Sequence, residues 1–438
     1  MRGFAMKTTL KKITSVYNLY TTVSIIGILF FFVYAFIKGI DAFDWISMAN
    51  HGKKHFLDFF AHVIFSAEPE HLYERAQFIW GCFPPLIYFF YYFIYRITAI
   101  PGYVPKTGII VNTYTSYMNM SYHLNNFLYY TIFVAFAILL SVRIWNPKAK
   151  YKRLFACLIF SVPFFAGGIE RGNSSMIVFP LLLTALNWRN ARSKVKREIA
   201  MLFIAISAGL KIYPAIFGLL YLKEQRFKEA ARLIVYGIIL FFGPFAFFGG
   251  LNGLKLWLEN VSNAMNFTDI GCIEYINGLI QTITYWITGK SSFYLSRLFP
   301  NLFLIIMLGL AFISNDKYRT VFFLCAIMTF YPSNAYRYTL SYLAIPLVMY
   351  LMEHGNEQIK EPFIATEIIC YSMIFSIPTF WGLLTGFQLQ FAITGQFTYV
   401  EFWIYAVAYF LLFVVIVHEL ISIIKYKEYN PCLRQQIF

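Results

Sequence analysis

Long apolar runs separated by short polar and basic segments dominate the chain. Runs long enough to cross a bilayer, or nearly so, fall at 17–37, 78–97, 126–144, 154–169, 173–188, 199–222 and 232–249. Others follow at 297–314, 319–333, 338–352, 363–387 and 401–424, with a weaker one at 275–289. A bilayer core takes about 20 apolar residues in helical form. Only helices and closed barrels satisfy their own backbone in lipid. The pattern predicts an all-α integral membrane protein of about 12–13 transmembrane helices. No repeat or low-complexity linker divides it, so residues 1–438 read as a single polytopic membrane domain.

Basic clusters give the expected topology. Arg2, Lys7, Lys11 and Lys12 precede the first run, which is long enough to span and reads as an uncleaved helix. Lys148, Lys150, Lys152 and Arg153 precede the 154–169 run, and Arg189, Arg192, Lys194, Lys196 and Arg197 follow the 173–188 run. The positive-inside rule places all three in the cytoplasm. The tip near 170–173 and the polar loop at 38–77 are then outside. Two parities conflict. Three runs separate the amino terminus from Lys148, where an even number is required, so one run is re-entrant or 98–125 hides a crossing. The 199–222 run lies between two basic segments, the second holding Lys223, Arg226 and Lys228. The Lys-Ile-Tyr-Pro break at 211–214 suits a broken or re-entrant helix there.

Composition agrees: 59% of residues are hydrophobic and 13% charged, against roughly a quarter charged in soluble domains. This excludes a soluble enzyme, a disordered chain and a disulfide scaffold. The net charge of +15 lies in clusters between apolar runs, so nucleic acid is not an expected partner. The lipid bilayer is. The six cysteines are scattered, mostly in apolar runs, and form no CxxC pair.

The 38–77 loop is the richest polar segment. It carries Asp41, Asp44, Asp58, Glu68, Glu70 and Glu74, with His51, His55, His62 and His71. A short amphipathic helix is expected near 53–66, with His55, Asp58 and His62 on one face and Phe56, Leu57, Phe60, Val63 and Ile64 in the interface on others. An aspartate there can act as general base toward an acceptor hydroxyl. From spacing alone a solvated surface helix is the stronger reading. A metal site of His51, His55 and Asp58 matches no strong motif.

Glu170-Arg171-Gly172-Asn173 forms a second constellation at a hairpin tip, after Gly167 and Gly168. It reads equally as a self-paired turn or as a site where Arg171 and Asn173 face an anionic lipid-linked substrate. Lys211 lies inside an apolar run and calls for a cavity or an anionic partner, a phosphate or an acidic side chain such as Glu367. Arg337 lies nearer a helix end, where an interface anchor is the stronger reading. No Walker P-loop, GxSxG or HExxH occurs, and no soluble nucleotide-binding domain, so an ATP-driven pump is not expected.

Asp44-Trp45, Phe56-Leu57-Asp58-Phe59-Phe60, Leu72-Tyr73 and Phe83-Pro84-Pro85-Leu86 resemble the first outer loop and second helix of polytopic GT-C fold glycosyltransferases, in particular the glycosyltransferase family 87 group and its bacterial relatives. Phe83 stands where that pattern has Tyr. The likeness continues through Glu170–Asn173, Ala208-Gly209-Leu210-Lys211-Ile212-Tyr213-Pro214 and Gly243-Pro244-Phe245. It is best over 40–250 and weaker after 260, where the Tyr331–Tyr338 stretch is similar.

The resemblance implies a multi-pass cell-membrane transferase with a GT-C-like fold. Its donor would be a polyprenyl-phosphate-linked sugar and its acceptor a glycolipid or cell-envelope polysaccharide on the outer face, with inversion. Asp58, or second Asp44, would be the base. Glu170, Arg171, Asn173, Lys211, Tyr213 and Arg337 would bind substrate and phosphate, supported by His55, His62 and Tyr73. No cofactor is expected, and a divalent metal requirement stays open. Other envelope-synthesis proteins are further expected partners. Two alternatives remain: a transporter or flippase of lipid-linked saccharides, and a non-catalytic scaffold.

Overall fold

The computed structural model describes residues 15–38, 57–76, 81–98, 121–145, 151–266, 273–290, 292–333, 336–376 and 399–429. Among these the chain is helical, and its one β contact is a bridge between Ser15 and Gln358. The N-terminal part comprises α1 (Val16–Lys38), α2 (Leu57–Ser66), α3 (Leu72–Arg75), α4 (Pro85–Thr98), α5 (Ser121–Trp145) and α6 (Tyr151–Ile159). The middle comprises α7 (Ser175–Trp188), α8 (Lys194–Leu210), α9 (Leu219–Lys223), α10 (Phe227–Phe242) and α11 (Gly250–Asn266). The remainder is α12 (Ile276–Thr288), α13 (Phe293–Ile313), α14 (Lys317–Phe330), α15 (Ala344–His354), α16 (Pro362–Ser376) and α17 (Tyr399–Tyr429).

Four stretches among the described residues are long and apolar enough to cross a membrane: Val16–Ile37, Phe227–Ala246, Tyr294–Ile313 and Trp403–Lys425. Shorter apolar helices cover Pro85–Ile94, Tyr130–Trp145, Ser175–Trp188 and Pro362–Phe375. Leu29, Phe36, Ile239, Ile305 and Phe413 point outward. In water those faces would be unstable, and in lipid they cost nothing. The chain is an all-α membrane protein.

Several apolar runs are not single helices. The run at 154–169 ends as α-helix at Ile159, passes Pro163 and resumes as one π-helical turn, Phe165–Ile169. Proline removes a backbone donor, and π turns absorb an extra residue. The run at 338–352 begins as a 3-10 segment, Arg337–Leu343, before α15. Thr329 and Thr339 close the break before it: each hydroxyl donates to the other's carbonyl, at 3.1 and 3.3 Å.

One end of the bundle collects the basic segments. Arg189 pairs with Glu224 at 2.8 Å, and Arg226 donates to Asn190 and to the Arg189 carbonyl. Arg232 pairs with Glu198. Residues 189–198 and 223–232 therefore share that end. Hence α8, a 3-10 segment at Tyr213–Gly218, and α9 make an excursion that starts and finishes there. Lys211, which ends α8, stands at the far tip of this excursion. Ser193 caps the start of α8 by accepting from Lys196. Lys223 closes the return by donating to the carbonyls of Ala311 and Ser314 and to Thr320. The first conflict turns on the chain between α4 and α5, and residues 99–120 lie outside the described residues.

The same end holds a buried ionic network across α14, α16 and α17. Arg319 donates to Glu419 at 3.0 Å and lies 2.7 Å from His418 Nδ1, which lies 2.8 Å from Glu367. Glu361 meets the other ring nitrogen at 3.2 Å. Glu367 is thereby engaged far from Lys211, so the expected Lys211–Glu367 pairing does not form. Arg319→Met leaves Glu419 buried without its cation, and such broken pairs cost about 3–5 kcal/mol. Denaturant unfolding in detergent should show a loss of that order; a loss below about 1 kcal/mol would refute a stabilising role for the network.

Candidate functional site

The opposite end of the bundle brings the two sequence constellations into contact. Asp58 stands in the first turn of α2 and is 5% exposed. Its Oδ1 accepts from Arg171 Nη2 at 2.7 Å, and its Oδ2 accepts from Asn173 Nδ2 at 2.7 Å. The Phe59 N–H donates to the Arg171 carbonyl at 3.0 Å. The Asn173 amide oxygen in turn accepts from Ser175 N and Oγ, which orients its NH2 group toward Asp58.

The turn is built for this approach. Gly172 has φ +65°, and a Cβ there would meet Phe59 Cβ at 2.4 Å. Only glycine tolerates both demands. Two tyrosine hydroxyls satisfy the turn's carbonyls: Tyr91 of α4 donates to Gly172 O and Tyr130 of α5 to Asn173 O, each at 2.7 Å. Their rings flank Phe59 at 5.7 Å. Upstream, Gly167 leaves room for Arg337, because a Cβ there would stand 3.0 Å from Arg337 Cγ. Arg337 is 1% exposed. It is a buried residue of the site, not the interface anchor expected from its position.

Lys211 terminates α8 and is 2% exposed. Its ammonium lies 4.1 Å from the Tyr338 ring centroid, 5.6 Å from Tyr213 and 5.7 Å from Phe83. Its Nζ has no hydrogen-bond partner among the described residues. Aromatic faces attract a cation but leave its donors unused. Asp58 and His62 both lie within its electrostatic reach.

His62 follows Asp58 by one turn of α2 and is fully buried, ringed by Phe83, Tyr88 and Tyr91 at 4.8–5.3 Å. Burial pushes its pKa down to about 4; Asp58 opposes this and Lys211 adds to it. Tyr73 is buried, and its hydroxyl donates to the Phe83 carbonyl at 3.1 Å. Tyr213 stacks edge-on against Tyr342 at 5.9 Å. Glu170 is buried beside Arg171 in the turn. Asp44, His51 and His55 lie outside the described residues. Val63 is in the protein core, not in an interface as its face of α2 suggested. Among the described residues no group of three His, Cys, Asp or Glu side chains could hold a metal ion.

The sequence reading missed Tyr91, Tyr130 and Tyr338. A signal existed: a tyrosine in a buried apolar run still carries a hydroxyl that needs a partner.

The site is thus buried and polar, at one end of an all-α membrane bundle, and brings together a carboxylate, an arginine and a lysine. The family model of glycosyltransferase family 87 matches residues 115–333. The chain belongs to that family and is a glycosyltransferase by descent. The match covers the Glu170–Asn173 turn, Lys211 and Tyr213, whereas Asp58 and Arg337 flank it. A comparison with curated proteins finds no match.

The His62 shift has a consequence for stability. The unfolded imidazole titrates near 6.5, above the folded value. Its contribution is complete above pH 6.5 and is lost as the pH falls toward 4, by about 3 kcal/mol. His62→Gln should flatten the fall in unfolding free energy over that window. An unchanged slope would remove His62 from the account.

Proposed function

We propose that the protein moves a sugar from a polyprenyl-phosphate donor to a glycolipid or cell-envelope polysaccharide acceptor. The transfer takes place at the outer face of the cell membrane, across which the chain passes several times, and inverts the anomeric carbon. The observation that carries this reading is the buried Lys211 side chain, whose Nζ meets no hydrogen-bond acceptor among the described residues and which lies within electrostatic reach of Asp58. Its donors suit an anion that the protein itself does not supply.

Charge supports the class of donor. Arg171, Lys211 and Arg337 set against Asp58 and Glu170 leave a formal +1 (three cations less two carboxylates). A sugar phosphodiester of a lipid carries one negative charge and balances it. A nucleotide pyrophosphate carries more. The site lies opposite the basic end, and the positive-inside rule puts that basic end in the cytoplasm.

In the reaction one oxygen of Asp58 accepts the proton of an acceptor hydroxyl. The hydroxyl oxygen attacks the anomeric carbon as the bond to the phosphate oxygen breaks. The lipid phosphate leaves with one further negative charge, which Lys211 stabilises in a site closed to water. Arg171 and Asn173 each donate to a different Asp58 oxygen, so both fix the carboxylate's direction while leaving lone pairs for the proton. The Arg171 Nε–H, buried and without a partner among the described residues, is a second donor for phosphate. Tyr213 and Arg337 complete the wall.

Purified protein in nanodiscs, given labelled polyprenyl-phosphate sugars and envelope lipid acceptors, tests this. Wild type should form product. Asp58→Asn should lose at least about 100-fold in turnover, and Lys211→Met about 100-fold or more in kcat/KM. Full activity in both variants would overturn the assignments. Donor movement across vesicles without covalent product would favour transport instead.

A further inference from the structure

The helix that follows α10, α11, is fitted to the outer-loop segment that carries Phe83. Asn260 Nδ2 donates to the carbonyls of Tyr73 and Ala76, at 3.1 and 3.2 Å. Trp257 Nε1 donates to the Cys82 carbonyl at 3.2 Å. Both side chains are buried. Trp257 also packs on Phe241 and Phe245, at 5.3 and 6.0 Å, and Phe245 stacks on Tyr73 at 5.7 Å. A glycine permits the approach. A Cβ on Gly81 would meet Ala76 O at 1.8 Å and Asn260 Nδ2 at 2.4 Å.

These bonds converge on one ring. Trp257 holds the carbonyl of Cys82, and Tyr73, itself held by Asn260, holds the carbonyl of Phe83. The Phe83 ring stands against His62 at 4.8 Å and 5.7 Å from the Lys211 ammonium. We propose that Trp257 and Asn260 are positioning residues for the transferase site: they fix Phe83 over Lys211 and so set where the Lys211 donors point. This rests on reading Lys211 as the group that meets donor phosphate. Neither residue touches substrate.

Cys82 provides a reporter. Burial pushes its thiol up to about 11, which keeps its alkylation slow at neutral pH. The experiment compares wild type with Trp257→Phe, which keeps a ring and removes the donor, and with Asn260→Ala, in nanodiscs. Two readouts need no substrate: N-ethylmaleimide alkylation of Cys82 and acetic anhydride acetylation of Lys211, both followed by peptide mass spectrometry. Both should accelerate in the variants. The KM for a polyprenyl-phosphate sugar should rise and its kcat fall, together about two- to tenfold in kcat/KM, the worth of one hydrogen bond, because Lys211 both meets donor phosphate and receives its developing charge.

Unchanged labelling would overturn the proposal. So would faster Cys82 labelling with unaltered Lys211 acetylation, or faster labelling of both with unaltered kcat/KM. Where a variant fails to fold, Tyr73→Phe, which removes one hydroxyl, is put through the same measurements with the same expected direction. Should wild type turn over no such donor, the reading of Lys211 as a phosphate ligand fails, while the two labelling rates still decide whether α11 positions Phe83.

Discussion

A carboxylate buried at the junction of two segments more than 110 residues apart must be neutralised where it stands. Asp58 is neutralised by Arg171 and hydrogen-bonded by Asn173. Removing either partner would leave a buried charge, a far larger cost than the pair's own net gain. That asymmetry dictates the surrounding structure. The turn must come within contact of α2, so position 172 must be glycine. Its carbonyls then lie out of reach of water, and Tyr91 and Tyr130 supply the missing donors. The π turn before it re-aims the chain, and Gly167 in that turn admits Arg337. One ion pair thus accounts for the positions of α2, α4, α5 and the 3-10 segment at 337–343.

The second requirement is to bring an ammonium to the same place. A lysine in mid-helix facing lipid would be costly. The protein ends α8 at Lys211, turns through Tyr213-Pro214 and returns by α9. The excursion is anchored at the basic end, where Arg189, Arg226 and Lys223 tie its entry and exit. The two ends of the bundle have different electrostatics for that reason. At the basic end, cations are matched by carboxylates or by carbonyls. At the other, Asp58 has its cation, and among the described residues Lys211 meets aromatic faces and no hydrogen-bond acceptor.

Much of this was legible in the sequence. Apolar run lengths gave the all-α membrane class, and basic clusters at 189–197 and 223–228 marked one end of the bundle. Lys211 and the Glu170–Asn173 turn stood out because charges within or between apolar runs need a reason, and Asp58 because it lies in the richest polar loop. Their mutual contact was not legible, because nothing local in residues 53–66 or 167–175 encodes a partner so distant in the chain. Helix breaks were legible only where proline sat at the break. The Pro214 break was read from Lys-Ile-Tyr-Pro, whereas Pro163 was passed over within a continuous run. The pairing of Lys211 with Glu367 failed for a topological reason: once α14, α16 and α17 are placed, Glu367 lies at the end of the bundle where Arg319 and His418 gather.

The contact between the two constellations also redistributes their chemistry. The residues alone left Arg171 and Asn173 equally open to a self-paired turn and to an anionic substrate, and the family resemblance assigned them to the substrate. In the fold their nearest donors are taken by Asp58, and a donor already engaged at 2.7 Å is not equally available to a phosphate. Arg171 retains Nε, whereas Asn173 is oriented away from that role: one N–H of its amide serves Asp58 and its oxygen serves Ser175. The developing charge of a leaving phosphate therefore falls chiefly to Lys211. A point charge among aromatic rings is a suitable receiver, since the rings hold the ammonium in place without competing for its hydrogen bonds. In the proposed reaction the turn would orient the base and the tip of the α8–α9 excursion would receive the leaving group, so the two halves of that reaction would rest on different segments of the chain.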